Sequence, residues 1–356
     1  MSRRRLITTG AAAAAGASAV SLIDAPSADA WFWRRELVAN PNFYPRDGVG
    51  GEIDMTGKVV VITGASRGIG LATGVALQAL GAVVLGTSRV PGAHLNHPFP
   101  LLELDLEDQA SVAAFLGAVQ TRPEVTSNGG IDVLFNNAGR FVLGNPIALD
   151  PATYFPALER SLAVLYGGHV AVANGLLQAL AARAAASGYA RMAFTTSVVA
   201  YGVGGTEPGL SLYHAYYSGK RALLSFANCL RGVVDAGGLG IGVSTVNPLA
   251  VQTALAEGLN PIFVQPVDGN GNSSDPDFQL FLDQIRLGLA NGLPVEFAAE
   301  GIVQLLTSAS PDPNIAIGSN EEPFATQGQT EFAEQIGLAE NAESAYGYAI
   351  GRRRRR

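Results

Sequence analysis

The tightest constraint on the fold is a short strand-like run that passes straight into a glycine-rich turn. Lys58-Val59-Val60-Val61-Ile62-Thr63 is followed by Gly64-Ala65-Ser66-Arg67-Gly68-Ile69-Gly70, and then by an apolar helical pattern from Leu71 to Leu80. A continuous β-branched run, with no polar alternation, suits a strand covered on both faces, as in a parallel sheet. Glycines at the turn permit tight bending and close backbone approach. The helix N-terminus behind them presents free N–H groups and a positive dipole end to an anion. Between a strand and a helix, this pattern suits the pyrophosphate of a dinucleotide. The predicted contacts are Gly64, Ser66, Arg67, Gly68, Ile69 and Gly70.

Strand and helix patterns go on alternating. Ala82 to Ser88 reads as a second strand ending at Arg89. A carboxylate at this exit would grip a ribose 2′-hydroxyl and repel a 2′-phosphate, whereas this chain has Thr87, Ser88 and Arg89, with Arg67 nearby in the turn. Two guanidiniums without a carboxylate favour NADP(H), with NAD(H) as the alternative. Leu101 to Leu106 reads as a third strand, placing Asp105 and Leu106 on the adenine side, although Asp105 could equally cap the following helix. Ile131 to Phe135 reads as a fourth, ending in Asn136-Asn137-Ala138-Gly139. Asn137, Ala138 and Gly139 thereby fall in the crevice where such sheets bind ligands, though taken alone the tetrapeptide is also a simple turn.

Further on, Tyr216-Tyr217-Ser218-Gly219-Lys220 heads the helical run Ala222 to Leu230. Residues four apart share a helix face, so Tyr216 and Lys220 can act on one atom. An ammonium beside a phenol is expected to pull the tyrosine pKa down from about 10. Among 23 Lys plus Arg, only Lys58 and Lys220 are lysines, so a compact point charge stands where the chain otherwise writes arginine.

In order and separation, Thr63-Gly64-x-x-x-Gly68-x-Gly70, Asn136-Asn137-Ala138-Gly139 and Tyr216-x-x-x-Lys220 resemble the short-chain dehydrogenase/reductase family over roughly residues 56–320. The resemblance implies a single doubly wound α/β domain, a Rossmann fold with a parallel sheet of about seven strands and helices on both faces. It also implies assembly as a homodimer or homotetramer. Ser197 matches the family's catalytic serine, with Tyr216 as acid/base and Lys220 tuning it and holding the nicotinamide ribose. The family's supporting asparagine has its nearest counterpart here in Ala163. Asn247-Pro248-Leu249-Ala250-Val251-Gln252-Thr253 resembles the segment that holds the nicotinamide, through Pro248, Val251 and Thr253, with Leu249 replacing a glycine. The implied activity is NADP(H)-dependent exchange of hydride between a nicotinamide and a small carbonyl or alcohol. The rival is a non-catalytic NAD(P)-binding or sensor protein keeping the same fold.

Composition bounds the remainder. At 48% hydrophobic and 15% charged, the 356-residue chain can bury a large core. A net charge of −7 without an internal basic patch argues against nucleic acid, and a single cysteine, Cys229, excludes an internal disulfide or a cysteine metal site. The four histidines, His94, His97, His169 and His214, lack metal-motif spacing and read as loop and helix residues.

Residues 1–30 resemble a twin-arginine signal. Arg3-Arg4-Arg5 precedes a weakly apolar Ala/Gly stretch, too short for a stable membrane span, and Ala28-Asp29-Ala30 offers a cleavage site before Trp31. The expectation is an exported, periplasmic protein delivered by the twin-arginine machinery; removal of this segment changes the charge to −7 − 3 + 2 = −8. Residues 31–55 are expected to form an arm on the domain and 202–212 an enlarged loop over the site. The stretch 254–295, with Phe263, Phe278, Leu280 and Phe281, is expected to form an apolar substrate lid; Asp268 to Ser274 reads there as a loop, not a calcium site. Residues 321–356 form a C-terminal extension whose Arg352–Arg356 tail is most simply a solvated end.

Overall fold

Runs of β-branched and apolar residues form the central sheet of this computed structural model. The structure describes residues 53–140, 142–143, 151–201, 214–248, 251–253, 262–263, 272–290, 292–309, 311 and 313–317. The main sheet has seven strands: β1 (Val59–Ile62), β2 (Val83–Ser88), β3 (Leu101–Glu103), β4 (Val133–Asn136), β5 (Ala190–Thr195), β6 (Ile241–Pro248) and β7 (Asn314–Ile317). Its order is β7-β6-β5-β4-β1-β2-β3 with every pair parallel, the doubly wound arrangement expected from the sequence. The strand order reverses between β1 and β4, which opens a crevice at their carboxyl ends.

Among the described residues the α-helices are α1 (Gly68–Ala79), α2 (Gln109–Gln120), α3 (Pro123–Asn128), α4 (Pro151–Leu162), α5 (Gly168–Ser187), α6 (His214–Ala236), α7 (Pro276–Ala290) and α8 (Val295–Thr307). Successive strand residues point to opposite faces. Val59, Val61, Leu85 and Leu134 therefore join α2, α5 and α6 in one core. Val60, Ile62, Val84, Val133 and Phe135 join Leu77 of α1 and Ala298, Ile302 and Leu306 of α8 in the other. Both faces of the strands are buried, which is why they read as unbroken apolar runs.

A π-helical turn, Ala163–Gly167, links α4 to α5. The continuous helix Tyr154–Ser187 is long and apolar enough to cross a membrane by length and composition, but Val172, Ala173, Leu176 and Leu180 pack into the sheet core.

One strand falls well short of the sequence reading. β3 ends at Glu103 rather than Leu106, because Asp105 turns the chain: its Oδ1 accepts from the Glu107 N–H at 2.9 Å. β6 runs on to Pro248, carried by its pairing with β7 as far as Ile317. Of the arm, Ile53 donates its N–H to the Thr307 carbonyl at 2.7 Å and Met55 is buried. Within the expected lid, α7 buries Phe278 and Leu282 and exposes Leu280 and Leu287. Residues 1–30, the loop 202–212, Asp268 to Gly271 and 321–356 lie outside the described residues.

At the amino end of β4, Asp132 ties the sheet to its helices. Its carboxylate accepts from Val59 N at 2.8 Å, from Asn128 Nδ2 at 2.6 Å, and from Arg183 Nε and Nη2 at 3.0 and 2.9 Å. Such a fully buried carboxylate is stable only because each lone pair has a donor. Asp132→Ala strips those donors of their acceptor and should cost about 3 kcal/mol in urea unfolding, with dinucleotide affinity unchanged.

Candidate active site

The glycine turn is closed by contacts that leave no room for side chains. Gly64 has φ +65°, and a Cβ there would stand 2.7 Å from the Ala138 Cα. At Gly70 a Cβ would meet the Gly64 carbonyl at 2.5 Å, so α1 can approach the strand end only with hydrogen at that position. Thr87 braces the turn from β2, its Oγ1 accepting from Gly64 N at 3.0 Å and its carbonyl from Ala65 N at 3.0 Å. α1 starts at Gly68, and Arg67, its N-cap, makes no side-chain capping bond. The first-turn N–H groups and the positive dipole end thus stand at the carboxyl end of β1 without a capping side chain from Arg67. Ser66 and Ile69 flank this turn, and Thr253 reaches it, with Cβ and Cγ2 3.5 Å from where a Gly68 Cβ would be. The cradle fits a pyrophosphate.

Asn137 ties three strand ends together. Its N–H and that of Ala138 donate to Thr63 Oγ1 at 2.9 and 3.1 Å, its Nδ2 donates to the Thr63 and Gly64 carbonyls at 3.3 and 3.2 Å, and its Oδ1 accepts from Thr195 Oγ1 at 3.2 Å. The amide is consumed by the scaffold. Arg67 and Arg89 are both exposed beside the turn and the β2 exit. Asp105 does not cap α2; Asp108 does, accepting from Ala110 N at 2.8 Å. Leu106 is buried, packed on α5 where a Gly168 Cβ would lie 2.6 Å from its own Cβ.

α6 carries Tyr216 and Lys220 on its first two turns. Its entry is fixed by Ser161 Oγ donating to the Ala215 carbonyl at 3.2 Å, and by Tyr154, which stacks on His214 at 5.3 Å and hydrogen-bonds it through its hydroxyl. Lys220 is 2% exposed; its Nζ donates to the Thr195 carbonyl at 2.6 Å and lies 5.8 Å from the centroid of the Tyr216 ring. Ser197, just past β5, is buried; its Oγ donates to the Pro248 carbonyl at 3.3 Å and hydrogen-bonds Tyr216. Serine, phenol and ammonium therefore meet at the carboxyl edge of β5 and β6. Val251 is buried and pairs with Leu293 beyond β6.

The expected lowering of the tyrosine pKa is not what this geometry gives. Burial pushes Tyr216 up to about 12, with the Ser197 hydrogen bond opposing it, and burial pushes Lys220 down to about 7. Desolvation dominates both groups, and the ammonium is directed to the Thr195 carbonyl. The phenol is held as an acid.

Ala163, the nearest counterpart of the family's supporting asparagine, lies in the π-helical turn with Leu165, whose side chain fills the space at Gly219, 2.7 Å from a Cβ built on that residue, and also reaches Gly139. One turn on, His169 is fully buried and its Nε2 bonds the Ala138 carbonyl at 2.8 Å, so it is part of the site rather than an ordinary helix residue. Thr63, Thr195 and His169 went unassigned as site residues; polar residues at the ends of buried strands, and a histidine inside an apolar helix, were the available signals. Among the described residues no group of three His, Cys, Asp or Glu gathers to hold a metal.

Burial, aided by the Lys220 charge, pushes His169 from 6.5 down to about 3. Between those values the unfolded chain binds a proton that the folded chain refuses, so stability falls as pH drops from 6.5 toward 3. Two pH units below 6.5 this amounts to about 2.7 kcal/mol. Urea titrations at about pH 7 and two units below the imidazole's ordinary value should show His169→Gln losing less stability than wild type by that order.

A profile described as short chain dehydrogenase matches residues 58–261. A dehydrogenase/reductase SDR family protein 7-like of Anopheles gambiae is 30% identical over 218 residues, spanning 57% of this chain and 62%, less than two thirds, of that protein. An L-xylulose reductase of Mesocricetus auratus is 27% identical over 271 residues, spanning 75% of this chain and 95% of the relative. In fold, the chain is similar to a short-chain dehydrogenase from Streptomyces avermitilis, with a TM-score of 0.57, 22% identity and coverage of 82% of this chain and 97% of that one. The glycine cradle, the braced strand ends and the meeting of buried Ser197 and Lys220 with half-buried Tyr216 agree with that match: the chain belongs to the short-chain dehydrogenase/reductase family, whose members are NAD(P)-dependent oxidoreductases.

Proposed function

We propose that the protein interconverts a small carbonyl and its alcohol with NADP(H), and that the meeting of Ser197, Tyr216 and Lys220 beside the glycine cradle performs the proton-transfer half. The bound nicotinamide supplies or accepts hydride at its C4. Ser197 Oγ orients the substrate oxygen. Tyr216, kept protonated by burial, delivers a proton to that oxygen in reduction and takes it back in oxidation. Lys220, on the same helix face, steadies the charge near the phenol and holds the nicotinamide ribose. Pro248, Val251 and Thr253 line the nicotinamide side. Gly64, Ser66, Arg67, Gly68, Ile69 and Gly70 hold the pyrophosphate, and Asp105, Leu106, Asn137, Ala138 and Gly139 border the adenosine.

The observation carrying this reading is the half-buried Tyr216, hydrogen-bonded to Ser197 with Lys220 one turn away. The preference for NADP(H) rests on exposed Arg67 and Arg89 with no carboxylate at the β2 exit. Among similar folds, one is complexed with NADH and another with NADP, so support for the preference comes from the two arginines alone. A carbonyl panel assayed with both cofactors tests this: kcat/KM should favour NADPH, and Tyr216→Phe should lower kcat by about a thousandfold or more with cofactor Kd unchanged. Activity retained in Tyr216→Phe overturns the acid role, equal use of NADH overturns the preference, and tight NADPH binding with no turnover favours the non-catalytic reading.

We further propose that residues 1–30 direct export through the twin-arginine route, that 254–295 close over an apolar substrate, and that the enzyme works as a homodimer or homotetramer. Fractionation of the host should give a periplasmic protein starting at Trp31; a cytoplasmic protein retaining Arg3 to Arg5 contradicts export.

A further inference from the structure

Lys220 brings three N–H donors into a site where its only described acceptor is the Thr195 carbonyl, at 2.6 Å. On the other side of the Ala138–Gly139 strand end stands His169, fully buried on the first turn of α5. Its Nε2–H donates to the Ala138 carbonyl at 2.8 Å, which assigns the neutral tautomer and leaves Nδ1 as an acceptor. That Nδ1 is enclosed and has no partner among the described residues. A Cβ at Gly139 would lie 3.5 Å from Lys220 Nζ, so the two groups flank the same two residues. Leu165, which reaches Gly139 beside the lysine, offers no side-chain acceptor. The Lys220 charge acts on His169, and the Tyr216 ring centroid lies 5.8 Å from the same ammonium.

We propose that His169 is a positioning residue for Lys220: its Nδ1 lone pair accepts an ammonium N–H through one bridging water, while its Nε2–H fixes the Ala138 carbonyl. The inference rests on the hydride-transfer reading above and adds to it the group that keeps the lysine charged. A buried acceptor without a donor is unfavourable, and so is a buried ammonium with too few acceptors; one link relieves both. The neutral imidazole is held available for this across the working pH range because burial and the neighbouring charge keep it from protonating.

The test compares His169→Phe, which removes both ring functions, with His169→Gln, whose amide can donate to Ala138 and accept toward Lys220. His169→Phe should shift the pH limb of kcat that requires the ammonium downward by about one unit, lowering kcat about tenfold above it, with the NADPH KM within twofold. His169→Gln should restore most of the wild-type profile. Superimposed profiles for wild type and His169→Phe overturn the proposal while leaving the Tyr216 assignment intact. A second readout needs neither turnover nor a folded variant. In ¹⁵N-histidine-labelled wild type, one of only four histidines should show a neutral Nε2–H tautomer whose Nδ1 shift follows the Lys220 titration near 7. A flat Nδ1 shift through that range overturns it, and an enzyme inactive on every carbonyl sinks the hydride-transfer reading but not this coupling.

Discussion

The hydrogen bond from Lys220 Nζ to the Thr195 carbonyl joins the helix carrying Tyr216 to the end of the central strand β5. An ammonium in that position is expensive to desolvate, and its place is fixed by everything around it. Gly219 must lack a side chain so that Leu165 can seat against α6. The same burial that draws the lysine down to about 7 holds the phenol protonated near 12. The site is therefore a desolvated acid beside a barely retained charge, and its chemistry depends on how closely the surrounding strand ends are held.

Those strand ends are locked by polar side chains rather than by packing. Thr63 and Asn137 bind β1 to β4, Thr195 binds Asn137 to β5, and Thr87 binds β2 to the glycine turn. Each spends a hydroxyl or amide on a neighbouring backbone, which is why the crevice keeps its shape where the parallel ladder stops. At the opposite edge Asp132 does the same for the strand beginnings, clamped by Arg183, Asn128 and the Val59 N–H. The sheet is thus braced at both ends, and helices need only cover its faces.

Much of this fold is legible in the sequence. The unbroken runs at Val59 and Val133, the glycines from Gly64 to Gly70 and the four-residue spacing of Tyr216 and Lys220 are local patterns, and local patterns survive folding. The parallel sheet and the meeting of Ser197 with Tyr216 accord with them. Direction and depth are beyond the reach of sequence spacing. A tyrosine beside a lysine is expected to become more acidic, yet burial reverses the sign. Leu165 packs at Gly219, and the π-helical turn that carries it adds a residue to the stretch, which spacing in the sequence does not reveal. His169 reads as one histidine among four; only the fold brings it against Ala138.

The most direct test of the account is to follow the hydride itself. NADPH carrying deuterium at both positions of nicotinamide C4, incubated with the protein and a reducible ketone, should yield an alcohol with one deuterium on the carbinol carbon, read by mass spectrometry. Deuterium absent from that carbon, while NADPH is bound or consumed, would contradict the central claim that this fold carries a working hydride-transfer site.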